Sequence, residues 1–285
     1  MGIRRTLLIA MATAVAAAPL GAAVVAAPPA SAAPCPTSAA AVGIAASPSG
    51  SGFYVVSTDG CVGTAGDAVN AGTPPAVLNA PIVGIAVDSA TKGYWEVGSD
   101  GGVFSFGAPF YGSTGNIHLN APIVGMAATP DGHGYWFVAS DGGIFAYGDA
   151  GFYGSEGAAH LNAPIIGMAA TPDGGGYWLV AADGGIFSFG DAPFLGSAGA
   201  LTLAAPIVGM APTPDGGGYW FVASDGGIFN YGDAAFYGSA AAGPGRVNGS
   251  DAVGIASTLD GKGYWVAFRT NNEVDEFGDA VAVPL

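Results

Sequence analysis

Positive charge is nearly missing from this chain. Of 285 residues only six are Lys or Arg, against 21 Asp and Glu. Such a surface repels phosphate backbones, which argues against nucleic-acid partners. Histidine is almost as scarce. His118, His133 and His160 fall in turn and loop stretches, with no nucleophile and acid patterned around them as a hydrolytic triad requires. Two cysteines cannot build a zinc-binding cluster. No Asp-x-Asp-x-Asp run offers calcium its converging oxygens. Phosphate-binding and dinucleotide fingerprints are absent too. No catalytic residue, metal ligand or cofactor is therefore assigned, and the reading leans against an enzyme. An apolar 3.6-residue period is also missing, which excludes helical solenoids. Beyond Val25, Gly, Pro and Asp interrupt every apolar run before it could span a bilayer.

What the chain has in abundance is repetition, with 50 glycines and 20 prolines marking it. The stretch LNAPIVGMAATPDGHGYWFVASDGGIFAYGDAGFYGSEGAAH, Leu119 to His160, recurs almost letter for letter from Leu161 and again from Leu203. One glycine keeps the register: Gly43, Gly84, Gly125, Gly167, Gly209 and Gly254, six units with a period near 42 residues. In the third unit Pro122–Ala128 predicts a first strand, Gly134–Ser140 a second, Gly143–Gly148 a third and Gly151–Ser155 a fourth. Pro-Asp-Gly at 130–132 supplies the first turn. Asp141-Gly142 supplies a hairpin. In the second strand Tyr135 and Phe137 point one way, Trp136 and Val138 the other. Apolar residues on both faces imply a strand covered on both sides. The first strand, built of Gly, Ala, Ile, Val and Met, suits a crowded place near an axis. The expectation is all-β: a β-propeller, six blades of four strands, with seven blades the alternative.

The start of the chain lies outside this pattern. Arg4 and Arg5, an apolar stretch Leu7–Val25 and Ala30-Ser31-Ala32 predict a signal peptide over 1–32 and a secreted, extracellular protein. Residues 33–40 form a lead-in, and 41–285 a single propeller domain. The exported part keeps Lys92, Arg246, Lys262 and Arg269 as its only bases. Its acidic residues fall mostly in turns, where Asp side chains cap local N–H groups. Cys35 and Cys61 are an even count in an exported chain, which predicts one disulfide between them. The second unit departs from the consensus, with Glu96 after Trp95 and with Ala108 where its counterparts carry Asp.

The Ser-Asp-Gly-Gly hairpin partly resembles the Asp-box of sialidase-type propellers, best at Ser57-Thr58-Asp59-Gly60. The box's Thr-Trp end is missing, and the two arginines of the exported part fall short of the three a sialidase needs. The Tyr-Trp and Gly-Gly pairs partly resemble kelch and WD40 blades without meeting either motif. As a whole, the GYWxVxSDGGIFxxGDAxFYGS unit over residues 41–285 resembles tandem β-propeller repeats of secreted bacterial proteins, and the low-lysine, Ala- and Gly-rich composition resembles exported actinobacterial ones. That resemblance implies a fold and no defined activity. The candidates for recognition are aromatic: Tyr111, Tyr153 and Tyr237, with Trp136, Trp178 and Trp220, the tryptophans alternatively packing between blades. The reading is a monomeric binding or scaffold module for carbohydrate or a surface polymer. A protein-interaction module, or an enzyme with its site in the axial funnel, is the alternative.

Overall fold

The structure, a computed structural model, describes residues 39–242, 251–269 and 273–281. The expected signal peptide and Cys35 lie outside the described residues. Eighteen strands form six three-stranded antiparallel sheets, each in chain order. The first holds β1 (Ala41–Ala46), β2 (Phe53–Ser57) and β3 (Val62–Ala65). The second holds β4 (Ile82–Val87), β5 (Tyr94–Gly98) and β6 (Val103–Phe106). The third holds β7 (Ile123–Ala128), β8 (Gly134–Ala139) and β9 (Ile144–Gly148). The fourth holds β10 (Ile165–Ala170), β11 (Gly176–Ala181) and β12 (Ile186–Gly190). The fifth holds β13 (Ile207–Pro212), β14 (Gly218–Ala223) and β15 (Ile228–Gly232). The sixth holds β16 (Ala252–Ser257), β17 (Gly263–Phe268) and β18 (Val274–Gly278). The only helix among the described residues is one 3-10 turn, Ala240–Ala242, and none is long and apolar enough to cross a membrane.

The middle strand of each sheet is buried along its whole length, and its two faces serve two neighbours. Tyr135 and Phe137 pack with Trp95 and Val97 of the second sheet. Trp136 and Val138 pack with Ile165, Met168, Tyr177 and Leu179 of the fourth. The same alternation continues round to the start, where Trp265 and Ala267 meet Ala41, Phe53 and Val55. The rings of Phe53 and Trp265 are 5.7 Å apart, and the amide of Ala41 donates to the carbonyl of Arg269 at 3.3 Å. The six sheets thus follow one another in a propeller-like ring, joined by side-chain packing rather than by one continuous hydrogen-bonded sheet.

The first strands β1, β4, β7, β10, β13 and β16 meet at the centre. Each carries a register shift beside the repeat glycine, between Ile123 and Gly125 in β7 for example. The glycines let neighbouring backbones approach: a Cβ on Gly209 would lie 3.0 Å from Cα of Gly254. Between them is a cavity of about 110 Å³ lined by Gly, Ile, Met and Val alone. That is room for a few waters, and the lining carries no titratable or nucleophilic side chain.

In the first five units the expected fourth strand does not form: Gly151–Ser155 and its counterparts there are irregular. The sixth unit's counterpart falls almost wholly outside the described residues. The reason is where their polar groups go. The indole N–H of Trp136 donates to the carbonyl of Gly151 at 2.6 Å. The hydroxyl of Tyr177, one sheet further on, accepts from the amide of Tyr153 at 3.1 Å and donates to the carbonyl of Gly154 at 2.6 Å. Gly154 itself has φ 141°, open to glycine but strained for other residues. Side-chain anchors from two sheets have replaced the ladder a fourth strand would have made.

Candidate functional site

The anchored segments decide which aromatic rings face outward. Tyr135, Tyr177, Tyr219 and Tyr264 each clamp the segment of the preceding sheet through their hydroxyls. Tryptophans 95, 136, 178 and 220 hold its carbonyls from below at 2.6–2.8 Å. With two adjacent aromatics in an extended segment, one must turn away when the other packs. The tyrosine packs, and the phenylalanine before it is left in solvent. Phe110, Phe152, Phe194 and Phe236 are 57–64 % exposed. They are repeat equivalents, so the exposure recurs once per sheet from the second to the fifth.

The sequence-predicted residues divide sharply. Trp136, Trp178 and Trp220 are fully buried, 0 % exposed, with their indole N–H groups satisfied inside the protein. They have no face to offer a ligand and belong to the packing between sheets. Tyr111 and Tyr237 are half-buried and Tyr153 is 37 % exposed. Their hydroxyls donate to the carbonyls of Gly132, Gly261 and Gly174 in the next sheet. Each ring packs against a glycine of that sheet: a Cβ on Gly148 would reach the Tyr111 ring at 3.0 Å, and one on Gly190 the Tyr153 ring at 3.0 Å.

Where the tyrosine lands, two aspartates converge. One comes from the first turn of the next sheet, the other from the turn after its third strand. Buried threonines join them. The Thr171 hydroxyl lies 2.9 Å from Asp173 Oδ1 and 3.1 Å from Asp191 Oδ1. Thr258 reaches Asp260 at 3.1 Å and Asp279 at 3.2 Å. Thr129 holds Asp131 at 2.8 Å, with Asp149 beside it. The first-turn acids also accept backbone amides, Asp173 from Gly175 and Asp131 from His133. These donors hold the carboxyls below the usual carboxylate range. For Asp131 the Thr129 hydroxyl leads. For Asp173 the Gly175 amide leads. Asp260 is pulled to about 2, chiefly by the Lys262 ammonium. All three are therefore ionised at neutral pH.

The junctions are similar rather than identical. Leu195 replaces the tyrosine between the fourth and fifth sheets. The first sheet has no first-turn acid, and Ser47 and Ser49 hydrogen-bond Asp67 instead. In the third sheet His133 stands where Gly175 and Gly217 stand later, and its Nδ1 lies 3.1 Å from Asp131 Oδ2. Asp131, His133 and Asp149 bring potential ligand atoms within 4.8 Å of one another from a single sheet. This is the one group among the described residues with three such atoms, and it is fully exposed. His118 and His160 are exposed and stand apart from it. The hairpin aspartates do what turn chemistry predicts: Asp100, Asp141, Asp183 and Asp225 each accept the amide two residues on at 2.9 Å.

The candidate site is thus a composite repeated at sheet junctions: an exposed Phe, a Tyr laid against the next sheet, and an aspartate pair whose first-turn member is held below the usual carboxylate range. Phe110, Phe152, Phe194 and Phe236 carry no signal singly. The signal was the adjacent Phe-Tyr, whose two rings cannot share one face. No protein-family model matches the sequence, and no curated protein is detectably similar to it.

Proposed function

We propose that the chain is a secreted six-bladed β-propeller acting as a binding module for a neutral polysaccharide, engaged through equivalent sites at the blade junctions. The observation that carries this reading is the recurrence of Phe110-Tyr111, Phe152-Tyr153 and Phe236-Tyr237, each beside an aspartate pair whose first-turn member is ionised at neutral pH. The C–H face of a sugar ring can stack on an exposed aromatic ring, which supplies apolar contact with little ordering cost. Sugar hydroxyls can donate to carboxylates, and such charge-assisted bonds are the stronger kind. A carboxylate-lined site repels anionic polymers and favours uncharged ones.

The competing reading, an enzyme working in the axial funnel, finds a small cavity with an apolar lining there. Binding of the exported protein to immobilised neutral and acidic polysaccharides tests the proposal. Retention on one or more neutral polymers, lost when Phe152 and Phe236 are both changed to Ala, is the expected result. Equal binding by that variant, or preference for an acidic polymer, overturns it.

A further inference from the structure

One carboxyl side chain is fully buried within a described strand. Glu96 lies in the middle of β5 and is 0 % exposed, with neither carboxyl oxygen making a hydrogen bond. The equivalent position holds Val55, Phe137, Leu179, Phe221 and Val266 in the other sheets. Its cross-strand partners are Ile85 and Phe104, both apolar. Its carboxyl reaches back to the first sheet, under the β2–β3 hairpin: a Cβ on Gly60 would lie 2.8 Å from Oε2, and the same Cβ would strike Pro74. Gly60 sits between Asp59 and the buried Cys61. A carboxylate there has no donor among the described residues, and an unpaired buried charge is among the costliest features a fold can hold.

We propose that Glu96 is an alkali-sensitive latch between the first two sheets, seated under the β2–β3 hairpin as the neutral acid and forcing the hairpin away when it ionises. The groups facing it are few. Asp59 comes from the hairpin, Tyr94 from its own strand, and Tyr54 lies next to Tyr94 with ring centroids 5.4 Å apart. No cation answers it from β4, β6 or the 70–76 connector, which contain no Lys, Arg or His. Burial, and secondarily Asp59, push the Glu96 carboxyl up from 4.5 to about 9. A carboxyl raised in the folded state binds its proton more tightly than in the unfolded chain. Its contribution to stability is complete below the ordinary carboxylate range and is lost as pH rises through about 9. The tyrosine hydroxyls of the core are pushed up by burial and stay protonated over that window.

The test compares the full exported chain with its Glu96→Gln and Glu96→Leu variants. Glutamine keeps the shape without an ionisable group, and leucine is the residue of the fourth sheet. Thermal midpoints are followed between pH 5 and 10. Hydrogen exchange of peptides covering 57–65, corrected for its intrinsic pH dependence, is followed in parallel. The wild-type midpoint should fall with pH while both variants stay nearly level, and the hairpin peptides should exchange at least tenfold faster in the wild type at pH 10. Parallel midpoint profiles in all three proteins would overturn the latch. So would a wild-type fall without faster exchange in 57–65, because the charge would then act elsewhere than on the hairpin. Should Glu96→Leu not fold, Glu96→Gln alone decides both outcomes.

Discussion

Replacing Tyr177 by phenylalanine removes one oxygen from the junction between the third and fourth sheets. The ring is fully buried and packs against Tyr153 at 5.6 Å and Phe189 at 5.7 Å. Phenylalanine can keep those contacts. What goes is the clamp: the hydroxyl's bond to the carbonyl of Gly154 and the one it accepts from the amide of Tyr153. Each net hydrogen bond contributes about 0.5–1.5 kcal/mol, and a dry, unpaired partner costs about 1–3 kcal/mol. Gly154 is only half-buried and Tyr153 partly exposed, so water can reach one of the freed groups. The expected loss is therefore about 1–3 kcal/mol, read as a shift in urea midpoint at unchanged slope. Hydrogen exchange should rise first in residues 151–157, ahead of the rest of the third and fourth sheets. A loss below about 0.3 kcal/mol, or exchange that rises uniformly, would refute the idea that tyrosine hydroxyls replace the missing fourth strand.

Two further outcomes follow from the same packing. Gly209→Ala should cost about 1–3 kcal/mol by overpacking, because its Cβ would meet Gly254 at 3.0 Å and Val222 at 3.3 Å. Gly167→Ala, at the equivalent position with nothing within 4 Å, should be neutral or stabilise by up to about 0.5–1 kcal/mol; equal effects in chemical denaturation would contradict the close backbone approach of β13 and β16 at the centre. Cys35 and Cys61 should form a disulfide contributing roughly 3–4 kcal/mol in the chain-entropy model, and two alkylatable thiols in the native protein would exclude it.

The sheets were legible because their signal is local. The turn residues at 130–132 and 141–142 and the two-faced apolar strand Tyr135–Val138 lie within a dozen residues of one another, the repeat copies them, and the structure places three strands per unit where they predict. The fourth strand was misread for a physical reason. Gly151–Ser155 has the composition of a strand, but its hydrogen-bond partners are Trp136 before it and Tyr177 more than twenty residues after it. No window centred on the segment contains both. The acid pairs were visible as two separate sets of turn aspartates. Their convergence depends on β8 and β9 returning the chain to the same end of the sheet, so Asp131 and Asp149 meet only in three dimensions. Tryptophan was ambiguous between platform and core until burial decided it. Glu96 was visible as a departure from the consensus, but its lack of a partner is a property of the packed neighbours and cannot be read from the strand.

The most direct measurement is the binding stoichiometry of a short neutral oligosaccharide on the chain from residue 33 onward, by calorimetric titration, set beside the affinity of the parent polymer. Several similar junction sites should give more than one weak site per chain, fewer after Phe152→Ala, and a polymer that binds far more tightly through effective concentration. A single tight site unaffected by Phe110, Phe152 or Phe236, or hydrolysis of the bound oligosaccharide, would contradict the account.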